Sequence, residues 1–440
     1  MGQVVLTPEA VAPLLADAGL ARAATGALCA GTVSLAEIAG AVGTPTFVYH
    51  ADVIEARYRE LTGALAAVPH TLCYAIKANS NLAVLRFLAG LGAGADIVSV
   101  GELTRALRAG FPAGQIVFSG VGKRDDELLA AVTAGVGQIN AESLEELARL
   151  AGIVASAGAS ARVGLRINPD VTTDTHPYIS TGKNGIKFGV PADQVVRAAA
   201  MVAAAPGLTL TGVAVHLGSQ LLSATPYQEA LDRLMTLLPE VQAAANGTVT
   251  SLGLGGGIGI RYTGSEQPLA VEDFAAAIVP GVRASGMRLH LEPGRYLVGS
   301  SGVLLTRVLY RKHSGGRDFM IVDAAMNDLV RPSHYQAHHA VVAVGEAGDR
   351  RVRADVVGPI CETGDFLALD RDVPDLPAGS CLAILGAGAY GFSMSSQYNS
   401  RPRAAEVLVH SGRWGICRRR ETIDDLMGGE VVSPLDGVNP

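Results

Sequence analysis

The chain has 440 residues, of which 49% are hydrophobic, and its formal net charge is -6. This length exceeds what one hydrophobic core usually organises, so we expect two domains, and the acidic balance argues against nucleic acid as a partner. The five cysteines are scattered without a C-x-x-C pair, which favours a reducing compartment and no structural metal site.

The first thirty residues show no basic start followed by an apolar run, so no signal peptide is predicted. No stretch approaches the uninterrupted apolar length of a membrane span. We therefore expect a cytoplasmic protein without a membrane partner.

Short apolar strands alternate with helical patterns through the middle of the chain. Before them, a helix is predicted near Pro8–Ala21, a strand over Thr44–Tyr49 and a helix from Asp52. Strands are then predicted at 71–77, 95–99, 116–119, 136–140, 162–168, 211–217, 250–255 and 287–292. The helices between them are predicted at 81–89, 100–109, 124–134, 143–156, 191–204, 224–245 and 271–285. This alternation is typical of parallel βα units.

Eight such strands are what a closed (β/α)8 barrel of the TIM type needs, and an open doubly wound sheet is the alternative. A closed barrel makes the first and eighth strands neighbours. It therefore predicts that Lys77 and Glu292 approach each other at the C-terminal rim, where the active sites of such barrels lie.

After Arg295 the pattern changes to strands with few helices between them. These strands are predicted at 296–310, 319–323, 340–344, 352–357, 381–385 and 404–409. We predict an α/β fold with two domains: a barrel over residues 44–292, and a mostly antiparallel β-sandwich or β-barrel domain. The second domain would consist of residues 293–440 together with residues 1–43.

Lys77 stands where a buried-strand pattern, Leu72–Ile76, runs out into the polar residues Asn79–Asn81. The polar cluster is expected to cap the next helix, which places the lysine at a strand-to-helix turn, half desolvated. Such an environment lowers the pKa of an amine and suits attack on carbonyl groups. A solvent-exposed structural lysine is the alternative.

Several polar and glycine residues follow the predicted strands and should meet at the barrel rim: Lys77, Asp96, Asn140, His216, Ser219, Gly255, Gly256, Gly257, Glu292, Pro293, Gly294 and Arg295. The glycine run follows the seventh strand, where backbone N–H groups of barrel enzymes bind phosphate. A phosphate site, a lysine, a carboxylate and a histidine on one rim suggest pyridoxal phosphate as the cofactor. The lysine would form its Schiff base and the carboxylate would keep its pyridine nitrogen protonated.

A dinucleotide fingerprint is also present but is rejected. Gly386, Gly388 and Gly391 have the G-x-G-x-x-G spacing after a strand. No helix-forming βαβ unit follows them, as a Rossmann site requires.

Eight motifs are spread along the chain: Tyr74–Asn81, Thr175–Gly182, His216–Gln220, Gly255–Gly259, Glu292–Arg295, Val322–Pro332, Cys361–Asp365 and Gly388–Pro402. Together they resemble the diaminopimelate decarboxylase family, which belongs to the fold-type III, alanine-racemase-like group of pyridoxal-phosphate enzymes. The resemblance covers about Gly43 to Glu430. It implies decarboxylation of meso-2,6-diaminopimelate at its D-centre to L-lysine and CO2, the last step of lysine biosynthesis.

The resemblance also implies roles for individual residues. Lys77, His216 and Cys361 would be catalytic, with Cys361 returning a proton to the α-carbon. The cofactor would be bound by Lys77, Asp96, His216, Ser219, Gly256, Gly257, Glu292, Pro293, Gly294, Arg295 and Tyr390. The substrate would be bound by Arg295, Arg331, Tyr335, Glu362 and Tyr390. In this family Cys361 and Glu362 come from the partner subunit, which implies a homodimer with shared active sites.

Other interpretations remain open at this stage. Taken alone, His216 also fits a hydrogen-bonded core histidine, Cys361 an inert buried thiol, and Arg331 with Glu362 a surface ion pair. A decarboxylase of ornithine, arginine or carboxynorspermidine would use the same machinery with a different distal pocket. An amino-acid racemase and a cofactor-binding protein without catalysis are the remaining alternatives. The long loop 170–187 is predicted to act as a lid.

Overall fold

The computed structural model describes residues 8–171, 187–346 and 350–432. The chain forms two compact units. The first unit comprises the described residues of Met1–His50, Tyr262–Gly264 and Gly302–Pro440, and the second comprises Ala51–Arg261 and Ser265–Ser301. The predicted lid loop and the motif Thr175–Gly182 lie almost entirely outside the described residues.

The N-terminal part of the first unit is a small layer of helices and strands. In chain order its elements are α1 (Pro8–Asp17), β1 (Leu20–Arg22), β2 (Leu28–Ala30), β3 (Val33–Ser34), α2 (Leu35–Val42) and β4 (Thr46–His50). Strands β1, β2 and β3 form an antiparallel sheet.

The second unit is a closed barrel of eight parallel strands. The strands are β5 (His70–Ala75), β6 (Gly94–Ile97), β7 (Ile116–Phe118), β8 (Gln138–Ala141), β9 (Ala161–Arg166), β10 (Leu208–Ala214), β11 (Ser251–Gly253) and β12 (Arg288–Leu291). The barrel closes through β12 and β5, where Leu289 pairs with His70 and Leu291 with Leu72. The predicted (β/α)8 barrel is confirmed, and the open sheet is excluded.

Helices accompany the strands of this barrel: α3 (Ala51–Ala64), α4 (Leu82–Gly90), α5 (Val100–Ala109), α6 (Asp125–Ala134), α7 (Leu144–Ala157), α8 (Val195–Ala204), α9 (Thr225–Ala244), α10 (Val271–Ser285) and α11 (Arg295–Val298). Local sequence sets their ends. Ser99 and Ser143 accept hydrogen bonds from the backbone at the starts of α5 and α7, and Gly110 and Gly158 end them in the left-handed conformation.

The rest of the first unit is mostly antiparallel sheet, as predicted. Its elements are β13 (Gly302–Ser314), β14 (Arg317–Val322), α12 (Arg331–Tyr335), β15 (Val341–Ala343), β16 (Arg351–Val357), β17 (Phe366–Pro374), β18 (Cys381–Ile384), β19 (Ala405–His410), β20 (Arg413–Arg418) and α13 (Ile423–Met427). The main sheet has the strand order β17-β16-β14-β13-β4-β19-β20. Apolar side chains of α1, α2, β4, β13 and β19 share one core, exemplified by Leu14, Ile38, Val48, Val303 and Val407.

The structure differs from the sequence predictions at three places. Strand β4, grouped with the barrel from residue 44, pairs with β13 and β19 of the first unit. Its five buried residues would suit any two-sided sheet, so their pattern does not select a partner. The strand predicted at 296–310 begins as helix α11, and the polar, half-exposed strands β17 and β20 escaped prediction.

None of the helices formed by residues 8–171, 187–346 and 350–432 is long and apolar enough to cross a membrane.

We predict opposite effects for two glycine substitutions in the barrel unit. A Cβ on Gly137, just before β8, would lie 2.3 Å from the carbonyl oxygen of Gly114. Gly137→Ala should therefore destabilise the protein by about 1–3 kcal/mol, as overpacking does. Gly152 is exposed within α7 and a Cβ there meets nothing within 4 Å. Gly152→Ala should stabilise by roughly 0.5–1 kcal/mol.

Thermal unfolding of both variants beside the wild type tests this pair. Equal shifts of the melting temperature in the same direction would contradict the tight strand contact at Gly137.

Candidate active site

Lys77 lies at the point where β5 leaves the barrel. The strand continues into a single 3-10 turn, Ile76–Ala78, and Asn81 then caps α4 by accepting a hydrogen bond from the backbone of Ala83. The Lys77 amine lies 2.8 Å from Oδ2 of Asp96, which lies on the next strand, β6. The lysine side chain is 36% exposed and the aspartate side chain is fully buried. The predicted strand-to-turn position of Lys77 is confirmed.

One carboxylate oxygen of Asp96 makes no hydrogen bond with Lys77. Its Oδ1 atom is buried and has no hydrogen-bond partner among the described residues. A buried carboxylate oxygen without a donor is costly unless a further group supplies one. This atom therefore points to a polar group that binds beside Lys77.

Glu292 follows β12, and a backbone hydrogen bond fixes its position: its N–H donates to the carbonyl oxygen of Gly255 at 2.8 Å. Burial raises the pKa of the Glu292 carboxyl, and the nearby Asp96 raises it further. The cations Lys77 and Arg166 oppose this rise but do not cancel it. The site thus holds a carboxyl group that retains a proton more readily than an ordinary glutamate.

His216 follows β10 and is oriented by the glycine run. Its Nδ1 atom accepts a hydrogen bond of 3.3 Å from the backbone N–H of Gly256. Burial lowers the pKa of His216 well below its ordinary value, and Arg166 and Lys77 lower it further. The imidazole is therefore neutral, with its proton on Nε2, which suits stacking against a flat aromatic group.

The glycine run after β11 leaves no room for side chains. A Cβ on Gly256 would lie 2.1 Å from the carbonyl oxygen of Glu292. Gly257 has a φ of +96°, and a Cβ there would lie 2.4 Å from the carbonyl oxygen of Gly218. Backbone in this conformation favours glycine and can present N–H groups to an anion.

Ser219, in the loop after β10, and Arg295, the first residue of α11, meet at the same rim although they are far apart in sequence. The Arg295 guanidinium donates to the Ser219 hydroxyl from NH2 at 3.0 Å and from Nε at 3.3 Å. Pro293 accepts a hydrogen bond from the backbone of Ala75, and a Cβ on Gly294 would lie 3.1 Å from that of Ala78. The predicted residues Glu292–Arg295 therefore lie directly against the Lys77 turn.

Lys77, His216 and Glu292 line one cavity of about 220 Å³ at the C-terminal rim of the barrel. Its walls include residues from seven of the eight strand ends: Lys77, Val98, Ser119, Asn140, Arg166, Ala214, Val215, His216 and Glu292, together with Gly120 and Phe188. Lys77 and Glu292 line the same cavity, as barrel closure predicts.

Sequence analysis missed Arg166, Ser119 and Glu142. Arg166 ends β9, donates from NH1 to Glu142 Oε1 at 2.9 Å and stacks over the ring of Phe188 at 4.7 Å. Glu142 also accepts hydrogen bonds from the backbone of Gly120 and Gly189. The strand-end rule that found Lys77 and Glu292 would have found Arg166 and Ser119, since both stand at the ends of predicted strands.

The remaining predicted site residues belong to the first unit. Arg331 is 6% exposed; its guanidinium lies 5.1 Å from the ring centre of Tyr262 and its Nε donates to His339. Tyr335 is the last residue of α12, with its ring beside that of His334. Tyr390 has a φ of +55°, rare for a bulky residue.

Cys361 and Glu362 are exposed in this unit. The Cys361 backbone donates to Asn399 Oδ1, and Glu362 Oε2 accepts a hydrogen bond of 3.0 Å from the Tyr398 hydroxyl. Neither side chain is buried in the chain that carries it, so both are accessible to another subunit.

Comparisons with known proteins identify relatives over nearly the whole chain. Residues 51–299 match the family model described as pyridoxal-dependent decarboxylase, pyridoxal binding domain. Diaminopimelate decarboxylase of Pseudomonas aeruginosa is 50% identical over 402 residues, which are 91% of this chain and 96% of the relative.

Two solved structures show the same architecture. Diaminopimelate decarboxylase from Helicobacter pylori, complexed with L-lysine, is 38% identical with a TM-score of 0.86, covering 89% of this chain and 98% of that one. The enzyme from M. jannaschii, also in complex with L-lysine, is 32% identical with a TM-score of 0.89, covering 94% and 98%.

The raised pKa of Glu292 makes a prediction about stability and pH. In the unfolded chain this carboxyl loses its proton near its ordinary pKa of 4.5, whereas the folded site retains the proton to higher pH. Stability that depends on Glu292 is therefore present below pH 4.5 and is lost as the pH rises above it. Glu292→Gln carries no such group.

Without cofactor, the wild type should lose more unfolding free energy than Glu292→Gln when the pH rises from 5 to 8. The difference in unfolding free energy, variant minus wild type, should therefore increase by about 1–3 kcal/mol between these two pH values. Urea unfolding of both proteins at pH 5 and at pH 8 measures it. Glu145→Gln, at an exposed position of α7, is the control and should show the same difference at both. A Glu292→Gln effect independent of pH would contradict the raised pKa.

Proposed function

The chain belongs to the diaminopimelate decarboxylase family of pyridoxal-dependent decarboxylases, and we propose that it converts meso-2,6-diaminopimelate to L-lysine and CO2 with pyridoxal phosphate. The observation that carries this proposal is the cavity shared by Lys77, His216 and Glu292. A nucleophilic amine, a neutral imidazole and a proton-holding carboxyl are the groups that a pyridoxal-phosphate site needs.

The residues of the barrel unit fit this cofactor. The orphaned Oδ1 of Asp96 can accept a hydrogen bond beside Lys77, and at Gly256 and Gly257 no side chain stands between the backbone and an anion. When bound, pyridoxal phosphate supplies an electron sink for the electron pair left behind by a departing carboxylate.

Each part of the cofactor has a candidate partner in the chain. Lys77 would bind the aldehyde carbon through its amine. Glu292 would share a proton with the ring nitrogen and keep that nitrogen protonated. His216 would lie on the ring face, which its neutral state permits without charge repulsion. The phosphate would be bound by the backbone N–H groups of Gly257, Gly294 and Arg295, by Ser219 and by Tyr390. Gly256 and Pro293 would border it without donating, because the N–H of Gly256 is used by His216 Nδ1 and proline has no N–H.

Asp96 is placed to exchange a proton with Lys77 because its Oδ2 lies 2.8 Å from the amine. Exchange matters, since a lysine amine must be neutral to attack a carbonyl and charged to leave again. The full reaction releases CO2 and consumes one proton. We assign the delivery of that proton to the thiol of Cys361 in the partner subunit.

We assign substrate recognition to Arg295, Arg331, Tyr335, Glu362 and Tyr390. A guanidinium binds a carboxylate through two parallel hydrogen bonds, and a carboxylate suits an ammonium group. The distal end of diaminopimelate carries both groups, whereas ornithine lacks the distal carboxylate. The L-lysine bound in two related structures supports this product over those of other diamine acids.

Turnover of the cofactor-loaded protein tests the proposed reaction. It should release CO2 and L-lysine from meso-diaminopimelate and leave ornithine, arginine and carboxynorspermidine unchanged. Lys77→Ala should lower kcat by at least roughly 10²-fold, as expected when a positioned proton-transfer group is lost. Lys312→Ala, at an exposed position of β13, should keep full activity.

Turnover of another diamine acid instead would overturn the substrate and reassign the distal pocket. Cofactor binding without any turnover would overturn the proposed reaction.

Shared active sites in a homodimer make a second prediction. A dimer that pairs Lys77→Ala with Cys361→Ala has one site with both residues intact and one with both replaced. Equal mixing of the two inactive variants, with subunit exchange, should therefore restore about one quarter of wild-type activity.

The matched control pairs Lys77→Ala with His216→Ala. Both changes lie in the barrel unit, so every mixed site keeps one defect and activity should stay low. If the Lys77 and Cys361 variants recover no more than this control, the site is built within one subunit.

A further inference from the structure

The interior of the barrel contains a hydrogen-bonded chain of polar side chains below the cofactor cavity. This interior chain consists of Ser251, Thr211, Gln138, Asn140 and Ser119. Gln138 and Asn140 are successive inward-facing residues of β8 and are 6% and 2% exposed. Barrel interiors are usually filled by layers of branched apolar residues, so a buried polar chain indicates a specific role.

The interior chain is linked through the two amides of β8. Gln138 Oε1 lies 3.2 Å from the Thr211 hydroxyl and 3.5 Å from the Ser251 hydroxyl. The same hydroxyls also face backbone carbonyl oxygens, that of Val163 at 3.3 Å from Thr211 and that of Thr211 at 3.1 Å from Ser251. Gln138 Nε2 faces Asn140 and donates to its Oδ1 at 2.8 Å. The Asn140 amide nitrogen then donates to Ser119 Oγ at 3.1 Å.

These hydrogen bonds leave the Ser119 hydroxyl as a donor. Its oxygen accepts from Asn140, and no acceptor for its hydrogen is recorded within the described parts of the chain. Ser119 is 6% exposed and lines the cofactor cavity together with Asn140. A buried hydroxyl with an unused hydrogen needs an acceptor, and the cavity is where one can bind.

Two glycines make room for the interior chain. A Cβ on Gly164 would lie 2.2 Å from Asn140 Oδ1, and a Cβ on Gly212 would lie 2.7 Å from Gln138 Oε1. These contacts are too short for any side chain. The neighbouring strands thus lack side chains at the positions where the two amides need the space.

We propose that Ser119 and Asn140 bind the ring hydroxyl of pyridoxal phosphate, and that Gln138 is the residue that positions the Asn140 amide. This inference rests on the proposed use of that cofactor. The aldehyde, the ring nitrogen and the phosphate already have partners in Lys77, Glu292 and the glycine run. The ring hydroxyl is the remaining polar substituent. Arg166 is engaged by Glu142 and Phe188, which leaves Ser119 and Asn140 to bind it.

The test compares pyridoxal phosphate with 3-deoxypyridoxal 5'-phosphate, which lacks the ring hydroxyl. Cofactor-free protein is titrated with each compound, and the dissociation constants are measured from the Schiff-base absorbance. Ser119→Ala and Gln138→Leu should each weaken pyridoxal phosphate roughly tenfold, the effect of losing one hydrogen bond to a charged oxygen. Neither variant should weaken the 3-deoxy compound.

Ile139→Val is the matched control, because Ile139 lies on β8 between the two amides and faces the opposite side of the strand. It should bind both compounds as the wild type does. Equal weakening of both compounds by Ser119→Ala, or wild-type affinity for both, would overturn the contact with the ring hydroxyl. If Gln138→Leu weakened the binding of both compounds equally, Gln138 would only pack in the barrel interior, and its proposed positioning of the Asn140 amide would be overturned. A wild-type protein that binds neither compound would overturn the proposed function itself.

Discussion

The pairing of β12 with β5 is the contact on which the site depends. It joins the last strand of the barrel to the first, so Glu292 and Lys77 reach one cavity although they are far apart in sequence. The backbone hydrogen bond from Ala75 to Pro293 continues this closure above the strands. Without closure, the amine and the carboxyl would stand on opposite edges of an open sheet, and no single flat ligand could contact both.

The closed rim concentrates charge in a small, poorly solvated volume. Burial and the nearby Asp96 raise the cost of ionising Glu292, and Lys77 and Arg166 offset part of that cost. The same two cations help to keep His216 neutral. One set of mutual interactions thus determines the protonation of a carboxyl that must hold a proton and of an imidazole that must not carry an extra one. A change at any of these residues would alter the others.

The barrel, its helices and the residues at its strand ends were predictable from the sequence because apolar runs and caps repeat with the period of βα units. The partner of β4 was not, since a two-sided buried strand fits either unit. Strands β17 and β20 carry exposed polar residues and lack a clear alternation. Ser119 could have been found because it ends a predicted strand, whereas the role of Gln138 could not, since the hydrogen-bond partners inside a barrel come from four different strands.

The place of β4 also constrains how the polypeptide can be assembled during synthesis. Its two neighbours, β13 and β19, are synthesised only after all the residues of the barrel. Domains tend to fold as units as they emerge, so the barrel can form while both edges of β4 are still unpaired. The unit that starts the chain is therefore the last to be completed, and the nascent protein must shield one apolar strand throughout the synthesis of the other unit.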